Sequence, residues 1–163
     1  MSSPYRDEIV AACTKHRVDP FLVEAMVTVE SSHHADAFRH EAGFWRRYLV
    51  DNPTYMHQVP RRVSSSYGLM QIMYPVACER GFKGEPERLF SPTVNLEYGV
   101  RHLTWLLAWA AATAPSETTA ERERAAVAAY NGGRRGNRPP GPYRNHLYLR
   151  KVMSARARIR RRG

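Results

Sequence analysis

The chain has 163 residues, 43% of them hydrophobic and 25% charged, which suits one folded domain with a single substantial core and argues against a disordered protein. Its longest apolar run, residues 103–112, is shorter than the roughly 20 residues that a membrane-spanning helix needs. The formal net charge is +10 and is unevenly placed, because residues 124–163 contain twelve basic side chains and no acidic one. We therefore expect this C-terminal region to attract a polyanion; nucleic acid, anionic cell-surface polymers and lipid headgroups all qualify.

Signals for helix starts recur along most of the chain. Asp19-Pro20 places an N-capping side chain before a first-turn proline and predicts a helix to about residue 32, and Ser3-Pro4 gives the same signal for a helix to about residue 16. Four more helices are predicted: from the Tyr67-Gly68 turn to Arg80, from Ser91-Pro92 onward, from a cap at Ser116 to the glycines at 132–133, and from about Pro142 into the arginine-rich end.

Residues 35–66 differ from the helical remainder, since they are rich in aromatic residues, histidine and arginine and contain two prolines. We interpret them as an irregular insert with at most a small hairpin. No internal repeat and no second domain is apparent. The sequence thus predicts a mostly helical single domain over residues 1–152, followed by a basic tail over residues 153–163.

The N-terminal residues show no basic region followed by an apolar core, so we expect no ordinary secretion signal. Without export through an oxidising compartment, Cys13 and Cys78 are expected to be reduced, buried thiols rather than a disulfide.

Glu30 is the first candidate for catalysis. It follows Val23, Met26 and Val27 at helical spacing, which puts a carboxyl group on an apolar face. Burial there should raise its pKa and keep it protonated nearer neutral pH, as a general acid requires. The alternative is that Glu30 merely ends the helix and faces water.

Four strings in a fixed order bear on this choice: Val-Glu-Ser-Ser at 29–32, Tyr-Gly-Leu-Met-Gln-Ile-Met at 67–73, Ala-Ala-Tyr-Asn-Gly-Gly at 128–133, and Tyr-Leu-Arg-Lys-Val at 148–152. They resemble the Glu-Ser, Gly-Leu-Met-Gln, Ala-Tyr-Asn and terminal Tyr motifs of soluble lytic transglycosylases. The resemblance covers roughly residues 7–152. It implies the helical fold of goose-type lysozyme and a domain that cleaves peptidoglycan glycan strands.

The resemblance also implies a mechanism without metal or cofactor. Glu30 matches the glutamate that protonates the glycosidic oxygen between MurNAc and GlcNAc. The same carboxylate then takes the proton of the muramic acid 6-hydroxyl, so that a 1,6-anhydro ring closes instead of water adding.

Further residues match the motifs as substrate-binding positions. Ser31 can bind substrate or orient the site, or it can cap the helix. In the second motif, Gly68 lets the backbone approach the sugar, Leu69 and Met70 follow, with Met70 offering an apolar surface, and Gln71 binds substrate or satisfies the turn.

The third and fourth motifs contribute Tyr130, Asn131 and Tyr148. The resemblance implies that the Tyr130 hydroxyl bonds the Glu30 carboxylate and helps to set its pKa, whereas core packing is the alternative for both tyrosines.

The insert is a departure, because many family members have a much shorter segment between the glutamate and the Gly-Leu-Met-Gln motif. Its length and aromatic, basic composition resemble phage-type enzymes. It also contains Glu41, which could activate water as a second carboxylate and make the protein a hydrolytic muramidase. We favour an ion pair of Glu41 with Arg39 or Arg46.

Three other classes are weaker. A nucleic-acid-binding protein would use the arginine-rich end, but no base-recognition motif accompanies it. The same end could instead hold the enzyme to anionic envelope polymers or to other virion proteins. A non-cleaving glycan-binding module would not need Glu30. A zinc site is not expected, because His33, His34 and His40 lack the spacing of a zinc motif. We expect an enzyme that acts in the periplasm or cell wall, either virion-associated or released at lysis, with a bacterial enzyme as the alternative.

Overall fold

The structure is a computed structural model that describes residues 3–162. Its helices are α1 (Arg6–His16), α2 (Pro20–Ser31), α3 (Ala42–Phe44), α4 (Pro60–Val63), α5 (Tyr74–Glu79), α6 (Pro92–Thr113), α7 (Thr119–Gly132) and α8 (His146–Arg160). A π-helix, Trp45–Leu49, continues α3, and a 3-10 helix, Pro86–Phe90, precedes α6. The strands are β1 (Phe38–His40), β2 (Ser65–Tyr67) and β3 (Ile72–Met73). The prediction of a mostly helical, lysozyme-like fold is confirmed.

Helix α2 is the centre of the main core. Its residues 22–27 are all buried, and it packs against α1 and α8, while α6 packs against α1 and α7. The Asp19 side chain caps it as predicted, accepting from the Phe21 N–H at 3.0 Å. The rest of this core is apolar, with Ile9, Leu96, Val100, Leu103, Leu106, Val127 and Val152 among its fully buried members.

The strands form one antiparallel sheet in the order β1-β2-β3, in which Phe38 lies opposite Tyr67 and Tyr67 opposite Ile72. The sheet is larger than the predicted hairpin, because its third strand, β3, lies outside the insert. The prediction of a helix from the Tyr67-Gly68 turn to Arg80 is wrong in its first part. Gly68 and Gln71 have left-handed backbone conformations, with φ of 69° and 46°, which turn the chain into β3 before α5 begins.

The two ends of the insert are hydrogen-bonded to each other, and its start packs on the rest of the domain. The Glu41 N–H donates to the Ser64 carbonyl at 2.8 Å, and the Ser64 hydroxyl donates back to the Glu41 carbonyl at 2.7 Å. Phe38 and Phe90 pack on the Tyr67 ring, with centroids 5.2 and 5.1 Å away, in a second apolar core. The insert therefore has a fixed position beside the helical body.

The last two helices begin later than predicted. Thr118 rather than Ser116 caps α7, accepting from the Glu121 N–H at 3.1 Å. Helix α8 begins at His146 rather than near Pro142, because residues 137–143 are irregular and a turn at 144–145 leads into the helix.

Residues 153–160 form the last turns of α8, so the predicted boundary between domain and tail at residue 152 falls inside a helix. Ala155 is buried. Arg156, with a side chain only 15% exposed, donates to Asp19 at 2.9 Å through Nε and to Glu123 at 2.5 Å through Nη1. This stretch is therefore part of the fold.

Both cysteines are free: Cys13 is buried, as predicted, and Cys78 is only half-buried. Within residues 3–162, no helix combines the length and the apolar character that crossing a membrane requires.

Candidate active site

A cleft of about 740 Å³ opens beside the C-terminal end of α2. Its lining comes from α2, the insert, the β3–α5 region, α6, and the end of α7 with the loop that follows it. The sequence-predicted residues Glu30, Glu41, Gln71, Tyr130 and Asn131 all lie in this lining. The fold thus brings together residues from three of the four motifs and from the insert.

Glu30 is the next-to-last residue of α2, where the rigid core fixes the position of its backbone. The Tyr148 hydroxyl donates a 2.6 Å hydrogen bond to its Oε1 atom. Burial raises the pKa of the Glu30 carboxyl above its ordinary value, while the hydrogen bonds from Tyr148 and Asn131 and the charge of Arg39 act in the opposite direction. A carboxyl group held in this balance can give up a proton and still be stabilised as the anion.

The tyrosine that bonds Glu30 is Tyr148 and not Tyr130, which corrects the sequence-based expectation. The Tyr130 hydroxyl donates instead to the Met70 carbonyl at 3.0 Å. Burial and the neighbouring Glu30 raise the pKa of Tyr148 well above its ordinary value, so its phenol keeps its proton and remains a donor. Tyr148 lies on α8, which packs directly against α2 and so carries the hydroxyl to the carboxylate.

Asn131 is oriented by a residue that the sequence did not single out. Asn145, just before α8, donates from Nδ2 to the Asn131 Oδ1 atom at 2.9 Å. Because its oxygen accepts from Asn145, the Asn131 side chain has its amide nitrogen free to donate to Glu30. This interaction lowers the pKa of the Glu30 carboxyl. Only the fold reveals this role of Asn145, because it lies in no recognised motif.

The turn at residues 68–71 is held by a buried asparagine, Asn95, near the start of α6. Its amide nitrogen donates to the Tyr67 and Leu89 carbonyls, both at 2.7 Å, and its oxygen accepts from the Met70 N–H at 2.8 Å. Gly68 has to be a glycine, since a Cβ there would lie 2.6 Å from the Leu89 carbonyl oxygen. In the sequence, Asn95 is an amide within an apolar helix face, and this position alone does not reveal its hydrogen bonds to the turn.

Residues 7–147 match the family model of the Transglycosylase SLT domain. The chain belongs to this family. Such a domain is a peptidoglycan-degrading enzyme of the lytic transglycosylase or glycosidase type, and peptidoglycan is its substrate. No curated protein matches the chain in sequence.

Several motif residues of this SLT domain stabilise the backbone around the site; of the four described next, Gln71 also lines the cleft. Leu69 and Met70 are fully buried, so the expected apolar surface of Met70 for the sugar is absent. The Ser31 hydroxyl lies 2.8 Å from the Leu69 carbonyl and 3.1 Å from the Val27 carbonyl, and thereby ties the end of α2 to the turn. The Gln71 amide donates to the Ala37 and Gly68 carbonyls at 3.0 and 3.1 Å, which satisfies backbone groups of the turn.

Glu41 faces the same cleft as Glu30 and is ion-paired. The Arg39 Nε atom lies 2.5 Å from the Glu41 Oε1 atom, whereas Arg46 makes no ion pair with Glu41. Since the charge of Arg39 also lowers the pKa of Glu30, this arginine interacts with both Glu30 and Glu41.

Aromatic side chains of the insert form part of the cleft surface. Phe44 and Tyr48 lie with ring centroids 4.8 Å apart, and Tyr48 is 54% exposed. Exposed aromatic faces suit stacking against pyranose rings. Among residues 3–162, no group of His, Cys, Asp and Glu side chains could hold a metal ion.

Proposed function

We propose that this SLT domain is a lytic transglycosylase that cleaves the β-1,4 bond between MurNAc and GlcNAc without water and leaves 1,6-anhydro-MurNAc ends. The observation that carries the proposal is the Glu30 carboxyl. It is buried enough for its pKa to rise, lies in the cleft, and is contacted by donors that stabilise its anion.

In the proposed mechanism Glu30 acts twice. Its proton passes to the glycosidic oxygen as the bond from that oxygen to muramic C1 breaks. Tyr148 and Asn131 stabilise the resulting carboxylate, which next takes the proton of the C6 hydroxyl as that oxygen bonds to C1. Bonds and protons balance without water, and Glu30 returns to its protonated form.

A hydrolytic muramidase is the second candidate, because Glu41 lies in the same cleft and could activate water. The ion pair with Arg39 favours the first candidate, since it engages one Glu41 oxygen at 2.5 Å. In the first candidate Glu41 only positions Arg39.

The test is digestion of purified peptidoglycan by the wild type, Glu30→Gln and Glu41→Gln. We expect Glu30→Gln to lose at least about 100-fold in rate, because a glutamine cannot donate the required proton, and Glu41→Gln to keep most of the rate. Full activity of Glu30→Gln would contradict the proposal. Comparable losses in both variants would favour the muramidase.

We further propose that the exposed face of α8 binds anionic polymers of the cell envelope. Arg150, Lys151 and Arg158 lie on this face, and Arg161 follows it; all four are exposed and without an ion pair among residues 3–162. Arg156 and Arg160 point the other way, to Asp19. Among the described residues of this face, Leu147 is the one large apolar side chain that is exposed, which gives little for insertion into lipid.

We also propose that the enzyme degrades cell wall for a bacteriophage, either as a virion component or at lysis. The support is the resemblance of the long insert to phage-type enzymes. Production in a bacterial cytoplasm, with and without a co-expressed membrane-permeabilising protein, tests the lysis role. Lysis only with the permeabilising protein is the expected result, and intact cells in both cases would contradict it.

A further inference from the structure

One part of the cleft, separate from the insert, is built around Trp105 of α6. The Arg80 guanidinium carbon lies 4.0 Å from the centroid of its ring, and that of Arg134 lies 4.9 Å away. The His102 ring stacks on the same indole, at 5.9 Å and an interplanar angle of 15°. All four side chains line the cleft that contains Glu30.

The Trp105 ring holds cations rather than offering a free sugar-stacking surface. It is 36% exposed, but two guanidinium groups and an imidazole already lie against it. Cation–π attraction and planar stacking fix the guanidinium groups while leaving their N–H donors available. Arg80 ends α5 and Arg134 follows α7, so separate elements bring the two arginines to one ring.

Of these two arginines, one has a single exposed carboxylate partner in the described part of the chain and the other has none. Arg134 has no ion-pair partner there, and Arg80 contacts only Glu79, at 3.3 Å, on a side chain that is 65% exposed. The Arg80 side chain is only 12% exposed, and its Nε atom is buried without a hydrogen-bond partner among residues 3–162. A buried donor without an acceptor is costly, so an acceptor that reached this guanidinium group would be favourable.

His102 adds no positive charge to this region. Burial and the charge of Arg80 lower its pKa to about 4, so the imidazole is neutral at physiological pH. Its Nδ1 atom is also buried without a hydrogen-bond partner among the described residues. The local charge therefore comes from the two arginines, which suits a ligand with a single carboxylate.

We propose that Arg80 and Arg134, held on Trp105, form a subsite for a free carboxylate of the peptide stem that the glycan strand carries. This inference rests on the proposed function, because it takes peptidoglycan as the substrate in the Glu30 cleft. Arginine suits this role, since its planar fork matches both oxygens of a carboxylate. The subsite makes the enzyme select glycan with ionised stems over glycan whose stem carboxyls are blocked.

The test measures binding in the inactive Glu30→Gln background, using soluble glycan fragments with free or amidated stem carboxyls. The parent protein is expected to bind the free-carboxyl fragment about tenfold more tightly than the amidated one. Adding Arg134→Gln is expected to abolish this preference. Adding Arg135→Gln is the matched control: Arg135 is an exposed neighbour outside the cleft lining, and the preference is expected to remain.

Two results would overturn the subsite: equal binding of the two fragments by the parent protein, or a preference that survives Arg134→Gln. Digestion of peptidoglycan by the wild-type chain separates this failure from that of the proposed function. Cleavage without a carboxylate preference removes the subsite alone, whereas absence of cleavage removes the proposed function as well.

Discussion

At the scale of single residues, the chemistry depends on how Glu30 is balanced between two protonation states. Burial favours the protonated acid that must donate its proton to the glycosidic oxygen. Tyr148, Asn131 and Arg39 favour the anion that forms afterwards. Removing either influence should therefore shift the pH range of activity in a direction that the structure specifies.

Tyr148→Phe tests the influence of one donor. A free enzyme that needs protonated Glu30 loses activity as the pH rises through the pKa of this carboxyl. Because the Tyr148 hydrogen bond stabilises the anion, its loss raises that pKa, so the alkaline limb of kcat/KM should move to higher pH. The loss of positioning should also lower kcat, by about tenfold.

Tyr143→Phe is the matched control for this experiment. Tyr143 is also a buried tyrosine with its hydroxyl on a glutamate, Glu121, but it lies outside the cleft lining. In Tyr143→Phe, the alkaline limb of kcat/KM should lie at the same pH as in the wild type. A limb that is unmoved or moves to lower pH in Tyr148→Phe would contradict the assigned role.

A second prediction concerns the stability of the Glu30→Gln variant as a function of pH. The folded-state pKa of Glu30 lies above its ordinary value of 4.5, so the unfolded chain gives up this proton first as the pH rises. The wild type therefore loses stability through that window, and the glutamine variant does not. Denaturant unfolding at several pH values should show Glu30→Gln to be at least as stable as the wild type at neutral pH, with a difference that vanishes below pH 4.5. A clearly less stable variant at neutral pH would show that the carboxylate is structural.

The sequence alone makes Glu30 the first candidate, because it combines a carboxyl on an apolar stripe with four motifs that resemble those of lytic transglycosylases. It does not identify the partner of Glu30, since Tyr148 is 118 positions away and only the packing of α8 on α2 brings the two together. Asn95 and Asn145 escape notice for the same reason. Their functions consist of hydrogen bonds to backbone and amide groups that are adjacent only in the fold.

At the scale of elements, the position of Glu30 depends on how α2 is fixed between its neighbours. Asp19 caps the start of α2 and accepts from Arg156 and Arg160 of α8, and Arg156 also donates to Glu123 of α7. One arginine thus links three helices at the end of α2 opposite Glu30.

Arg156→Gln is expected to reduce the free energy of unfolding by about 2 kcal/mol, because it leaves two partly buried carboxylates without their main partner. Arg158→Gln, on the exposed face of the same helix, should change it little. Chemical denaturation of both variants gives the comparison, and equal effects would contradict the network.

The destabilisation caused by Arg156→Gln should depend on pH in a defined direction. Hydrogen bonds from Arg156 and the Phe21 N–H lower the pKa of Asp19 below 3.8 despite its partial burial. Its contribution to stability is present above pH 3.8 and is lost as the pH falls through the folded-state value. The difference between the wild type and Arg156→Gln should therefore shrink in acid.

Two of the three predicted helix starts at a residue before proline are correct, whereas the Ser3-Pro4 signal is early, since α1 begins at Arg6. The α2 start at Asp19-Pro20 and the α6 start at Ser91-Pro92 are correct. The helix expected after Tyr67-Gly68 is wrong in its first part, because the turn needs a left-handed Gln71, a conformation that glutamine does not signal. Tertiary contacts to Ala37 and Asn95 hold that turn.

At the scale of the whole molecule, the basic side chains behind the net charge of +10 fall into two groups: some form ion pairs within the fold, and others face solvent. Arg156 and Arg160 stabilise the fold, whereas Arg150, Lys151 and Arg158 face outward without ion pairs among residues 3–162. The sequence predicts the concentration of charge but not this division, which depends on the rotation of α8 against α2.

The outward charges predict salt-sensitive adhesion to anionic cell-wall material. Replacing Arg150, Lys151 and Arg158 together by glutamine should lower the salt concentration at which the protein elutes from immobilised walls, because fewer counterions are released on binding. The matched control replaces Arg17, Lys83 and Arg88, which are exposed, lie elsewhere and remove the same charge. Equal shifts in both variants would show that net charge, and not the α8 face, sets adhesion. Retention on immobilised DNA but not on walls would favour the nucleic-acid alternative.

The most direct test of the central claim is the mass of the muropeptides that the wild type releases from peptidoglycan in water enriched in heavy oxygen. Transglycosylation through Glu30 alone predicts anhydro ends that are lighter than reducing ends by one water and contain no heavy oxygen. Newly formed reducing ends in place of anhydro ends would contradict this account, because a water molecule, activated by Glu41 or another group, would then have attacked the sugar.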